Sequence, residues 1–208
     1  MKKIFLIPII SFFTISLVVG AALIPISETE ESKTFSVSYS EGNKNIQSDL
    51  WLHKISMSSA LKLNGFSIKK YCSFFSDESI QNSIEYCTST ELLDPDGKYL
   101  GNIHMVGVPN VPKYMIGIIQ ADPQMSQIQE IKIVYKTMIE SLVCHCWNEK
   151  KPGGFDSVSD WIEATNNHHS EAKKITSKSV ISGLSQKDLV LEITTNSEGY
   201  LWKFIIPI

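Results

Sequence analysis

The run Tyr99-Leu-Gly-Asn-Ile-His-Met-Val-Gly-Val108, the turn Pro109-Asn-Val-Pro112 and the run Lys113-Tyr-Met-Ile-Gly-Ile-Ile-Gln120 decide how this chain is read. Both runs are rich in β-branched, aromatic and long apolar residues, and proline with asparagine separates them. Together they predict a β-hairpin. Upstream, residues 83–93 have the same character and are set off by Asp94-Pro95-Asp96-Gly97, whose residues favour tight turns. Residues 66–75 read likewise as a strand, with Ser76-Asp77-Glu78-Ser79 as the following loop. Loops this short join antiparallel neighbours, which predicts a four-stranded meander.

Downstream, Asp122-Pro123 has the form of a helix start, with aspartate as cap and proline in the first turn. Ile128, Ile131, Tyr135, Met138 and Leu142 follow at helical spacing and predict a long amphipathic helix to about Cys146. Ser157-Val-Ser-Asp160 is a capping box that opens a second helix carrying Trp161 and Ile162. Three strands are expected to close the chain, over 175–181, 189–195 and 200–206, the last two joined through Asn196-Ser-Glu-Gly199. Before the meander, residues 48–63 read as helix with Asn64-Gly65 as its C-cap. The expected fold class is α+β: a mainly antiparallel sheet, the meander plus the C-terminal strands, packed against two or three helices in one domain over 48–208.

The N-terminus carries an address. Lys2 and Lys3 precede an uncharged, mainly apolar stretch over 4–26, and Ser27-Glu-Thr-Glu-Glu-Ser32 ends it. At ~1.5 Å per residue such a stretch, if helical, spans a bilayer core. Lysines before it and acids after it place the following chain outside the cytoplasm. The expectation for 1–26 is a single transmembrane helix that anchors the chain in the cell membrane. A signal peptide cleaved near Ala21 or Ala22 is the competing reading, and would make the protein secreted. Residues 27–47, rich in Ser, Glu, Asn and Lys, read as a polar tether, with one short strand over 35–39.

Four cysteines in an exported chain suggest disulfides first. Cys72 and Cys87 lie symmetrically about the loop between the first two expected strands, which would set them opposite one another at bridging distance. Pairs crossed with Cys144 or Cys146, and free thiols, stay open. Cys144-His145-Cys146 at the end of the long helix, with His168 and His169 in the next, could form a soft-metal site for copper or zinc. Neighbours at i and i+2 on a helix point about 200° apart, however, so chelation there needs a frayed end. His53 and His104 stand alone and read as structural.

Composition excludes some function classes. All 19 basic residues are lysine, and the planar bidentate fork of arginine is missing. From Ser27 onward 17 lysines face 22 acidic residues, a net charge of −5, which is unfavourable for nucleic acid as a partner. The sequence contains no nucleophile elbow, P-loop, dinucleotide fingerprint, zincin motif, EF-hand loop or N-glycosylation sequon.

Gly101–Gly107 running into 114–123, and Cys144-His-Cys-Trp-Asn-Glu-Lys-Lys-Pro-Gly-Gly-Phe155, resemble stretches in an uncharacterised family of archaeal exported, membrane-anchored proteins. The closing strands over 175–206 are more distantly similar to PsbP-like α+β domains, which implies a non-catalytic accessory role. The expected function is thus a membrane-anchored, extracytoplasmic, non-enzymatic domain that binds a ligand or an envelope protein. The alternative is a metal-binding or redox accessory protein using the Cys144-His145-Cys146 cluster.

Overall fold

A computed structural model describes residues 37–208. The expected transmembrane segment, and residues 27–36 of the expected tether, lie outside them. Among the described residues no helix is long and apolar enough to cross a membrane. The fold is α+β, built on an antiparallel sheet of eight strands.

The hairpin expected over 99–120 forms. Strand β4 (Tyr99–Val108) pairs with β5 (Val111–Ala121) through a turn at Pro109-Asn110, where Asn110 takes a positive φ of 68°. β5 begins earlier than expected because Pro112 sits at a register shift opposite Gly107, where a missing N–H costs no ladder bond. Strand β3 (Tyr86–Leu93) pairs on the other side of β4. The turn between them is held by Asp94 Oδ1, which accepts from Asp96 N at 2.9 Å and Lys98 N at 2.8 Å.

The fourth meander strand is corrected. Two short strands, β1 (Ser56–Met57) and β2 (Leu61–Asn64), occupy the outer edge of β3, and helix α2 (Phe66–Tyr71) and the short helix α3 (Glu78–Asn82) follow. Gly65 at φ 56° turns the chain out of the sheet. Ile68 and Cys72, four residues apart, then bury on the sheet face beside Cys87. That spacing is helical, and burial on one side decides against a strand. The helix expected over 48–63 is also displaced. Helix α1 spans Tyr39–Trp51, so the second part of the expected tether is helical and no strand forms at Tyr39. Ser38 caps it, accepting from Glu41 N at 3.2 Å, while Gly42, Ile46 and Leu50 make its buried stripe. A Cβ on Gly42 would lie 2.8 Å from Met105 Cε, so α1 lies tightly on β4.

After β5 the long helix α4 (Ile128–Leu142) begins later than expected. Asp122 organises the preceding turn by accepting from Ser126 N at 3.0 Å instead of capping the helix. A short α5 (Trp147–Lys150) precedes α6 (Val158–Ala172), which Ser157 caps as read, accepting from Asp160 N at 3.1 Å. Strands β6 (Thr176–Leu184), β7 (Lys187–Asn196) and β8 (Gly199–Pro207) complete the sheet in the order β1-β3-β4-β5-β8-β7-β6.

Alternation along the strands sorts side chains to two faces. Ile103, Met105, Met115, Ile119, Trp202, Phe204, Leu189 and Leu191 face α1, α4 and α6 in the main core. The opposite face carries a smaller core of Cys87, Val106, Ile116 and Ile205 under α2. Ser141 Oγ donates to Asp49 Oδ2 at 3.1 Å and ties α4 to α1. An ion pair between Lys132 and Glu163 ties α4 to α6.

Candidate functional site

The residue types picked out as metal ligands are placed as follows. Cys144 and Cys146 lie at disulfide distance from one another, with Cα atoms 5.1 Å apart and His145 exposed between them. His168 is exposed on α6, whereas His169 is only 2% exposed. Its Nδ1 lies 2.9 Å from Ser177 Oγ and its Nε2 2.8 Å from Thr195 Oγ1, so both ring nitrogens are spent on hydroxyls. Burial, and secondarily His168, hold it below the usual histidine range. Of this pair, His169 is thus a buried, hydrogen-bonded residue and His168 stays exposed beside it. Among the described residues the grouping of three metal-type ligand atoms within 4.8 Å is elsewhere, at Cys72, Cys87 and His104.

Cys72 and Cys87 also lie at disulfide distance, with Cα atoms 6.6 Å apart. The pair is the one read from the sequence, but the geometry differs: Cys72 follows α2 and reaches down to β3, and no hairpin joins them. His104 on β4 comes within 4.0 Å of Cys87 Sγ, and the Phe74 ring covers it at 4.6 Å. Burial pushes His104 down to about 4, despite a backbone hydrogen bond with Thr88 that works the other way. A bonded sulfur pair offers no thiolate to a metal, so this cluster reads as a staple of the smaller core.

A different site was not legible in the sequence. A groove runs between α1 and the edge segment from Met57 to Lys62, as two adjoining cavities of about 290 and 430 Å³. Both share Ser40, Asn43 and Ala60. The groove exists because β1 and β2 are separate pieces. Ser58 N donates to Glu91 O at 3.0 Å and Glu91 N donates back to Ser58 Oγ at 3.1 Å, after which Ser59 and Ala60 carry no pairing until Leu61 meets Ser89. Alternation from Leu92 places Thr90, Thr88 and Tyr86 on the face beneath α1.

Those positions hold oxygen atoms where a core would hold carbon. Thr88 and Thr90 are 3% and 1% exposed, and neither hydroxyl has a hydrogen-bond partner among the described residues. Asn43 Oδ1 on α1 is likewise unpartnered, although its Nδ2 donates to Tyr39 O at 3.1 Å. The residues that carry three of the seven such atoms among the described residues therefore line the two cavities. A buried polar group without a partner costs about 1–3 kcal/mol, so these three oxygens hold hydrogen-bonding capacity that the described residues leave unused. Tyr39 and Tyr86 form one wall, edge to face at 4.7 Å, with Tyr39 OH donating to Val108 O at 3.0 Å. Lys44 and Lys62 supply the charge, and no carboxylate lines either cavity.

The fold and groove define an α+β domain with a polar, hydroxyl-floored cleft. Comparisons with family models, with curated proteins and with solved structures returned no match.

Proposed function

We propose that this chain is an extracytoplasmic binding domain, brought to the membrane by residues 1–26, whose ligand occupies the groove beneath α1. The ligand is a small hydroxyl-rich molecule carrying a negative charge, and an acidic sugar is the simplest that fits. The observation that carries this is that Thr88, Thr90 and Asn43, each with a buried side-chain oxygen lacking a partner among the described residues, all line the cleft. Ligand hydroxyls satisfy such atoms and recover their desolvation cost on binding. The Tyr39 and Tyr86 rings offer an apolar wall to sugar C–H groups, and Lys44 and Lys62 attract the negative charge. The compartment is supported by Lys2 and Lys3 ahead of the uncharged 4–26 stretch, and by two cysteine pairs at disulfide distance.

Calorimetric titration of the full chain in detergent tests the reading, with glucuronate and galacturonate oligomers set against neutral glucose oligomers. Saturable binding of the acidic members is expected, weakened about 10-fold or more by Thr88→Val with Thr90→Val. Failure of every acidic oligomer to bind, or undiminished binding by the double variant, contradicts it.

A further inference from the structure

The two cysteine pairs differ in burial and in the length of loop they close. Cys72 and Cys87 are both 0% exposed and sit within the smaller core, under Phe74 and beside His104. Cys144 and Cys146 are only partly buried, at the open end of α4, on either side of exposed His145. The first pair closes a loop across a sequence separation of 15, the second across 2. Chain-entropy stabilisation grows with loop length, so a bridge across two residues contributes little to the fold. Its presence asks for another explanation.

The backbone around the second pair is held without its bridge. Cys144 N donates to Ile139 O at 3.2 Å, closing the last turn of α4. Cys146 O accepts from Glu149 N at 3.2 Å and Lys150 N at 3.0 Å. Immediately beyond, Trp147 stacks on Trp161 at 5.8 Å and donates from Nε1 to Phe155 O at 3.2 Å. Both sulfurs are therefore carried on backbone that helix bonds and a packed indole fix in place. Opening the bridge leaves those supports standing, so the pair can cycle while the domain stays folded.

We infer that Cys144 and Cys146 form a reversible dithiol–disulfide couple that exchanges electrons with a partner dithiol, while Cys72 and Cys87 form a permanent staple. In the reducing direction a thiolate of the partner attacks one of the two sulfurs. The S–S bond breaks, and the other sulfur leaves as a thiolate that takes up a proton. The partner's second thiol then attacks the mixed disulfide. The partner ends as a disulfide, having lost two electrons and two protons, and Cys144 and Cys146 end as two thiols. The reverse sequence oxidises a partner dithiol. This couple stands on different residues from the groove and does not depend on it.

The test uses the full oxidised chain and dithiothreitol as the probe, with timed alkylation of thiols and peptide mass mapping. Cys144 and Cys146 should become alkylated at least about 100-fold faster than Cys72 and Cys87, because attack on the buried pair must wait for the structure to open. The aromatic circular dichroism should be retained, and oxidised glutathione should restore the bridge. Cys146→Ser should trap glutathione on Cys144 as a mixed disulfide, detected by mass. Reduction of both pairs together on unfolding would overturn the inference. So would loss of the aromatic signal as Cys144 and Cys146 open, failure of glutathione to re-form the bridge, or a Cys146→Ser chain that carries no glutathione.

Discussion

Replacing Thr90 by valine should make the free protein more stable. The hydroxyl is 1% exposed and unpartnered among the described residues, so the native state bears its desolvation without compensation. Such a group costs about 1–3 kcal/mol, while valine keeps the shape, restores apolar burial and suits a strand at least as well. A gain of about 1 kcal/mol is expected, or roughly 2–4 °C in Tm for a domain of this size. Thr88, two residues along the same face and 3% exposed, should behave alike. Urea unfolding of the full chain provides the assay, read as a shift of midpoint at constant slope. Thr195→Val is the control in which an exposed threonine has a partnered hydroxyl. Its hydroxyl lies 2.8 Å from His169 Nε2, so valine there should cost about 1 kcal/mol. Should Thr90→Val lose as much stability as Thr195→Val, the Thr90 hydroxyl is already satisfied in the free protein. The groove then loses the feature on which the proposed ligand rests.

Three further outcomes follow from the packing. His104 is held at about 4 by burial, against 6.5 in the unfolded chain, so the unfolded state takes up a proton first as pH falls. Stability is complete above pH 6.5 and should fall by about 3 kcal/mol down to pH 4; His104→Leu should flatten that slope in pH-dependent urea titrations. Ser157→Ala removes the oxygen that accepts from Asp160 N and should cost about 1 kcal/mol, measured by thermal unfolding. Tyr135, 1% exposed with its hydroxyl unpartnered among the described residues, should accept phenylalanine at no loss, or a gain of about 1 kcal/mol by the same measurement.

The long strands and the two main helices were legible because burial imposed one period throughout each. Ile103 and Met105 alternate with His104 and Val106 along β4, and Ile131, Tyr135 and Met138 recur at helical spacing along α4. Short elements carry too few repeats for this. At α2 only Ile68 and the C-cap residue Cys72 report the helical period, and Phe66 and Tyr71, both exposed, give the segment the composition of a strand. Helix α1 was hidden by its polarity, since Gly42, Ile46 and Leu50 are its entire buried stripe. The cysteine pair across residues 72 and 87 came from counting symmetry about a loop, although a helix delivers one partner. The groove gave no local signal. Thr88 and Thr90 are ordinary strand residues, and their lack of partners arises only because β1 and β2 leave a gap beneath α1. A three-dimensional coincidence of this kind has no spacing to read; the nearest hint is threonine at alternate positions where apolar residues would pack.

The occupancy of that groove is the claim to test most directly. Methyl spectra of the full chain, labelled with ¹³C at threonine, can be followed during titration with a galacturonate oligomer. Saturable shifts of the Thr88 and Thr90 methyls, with Thr176 and Thr195 at the far end of the sheet unmoved, are predicted. Shifts confined to other threonines, or no shift at any concentration, would contradict the account.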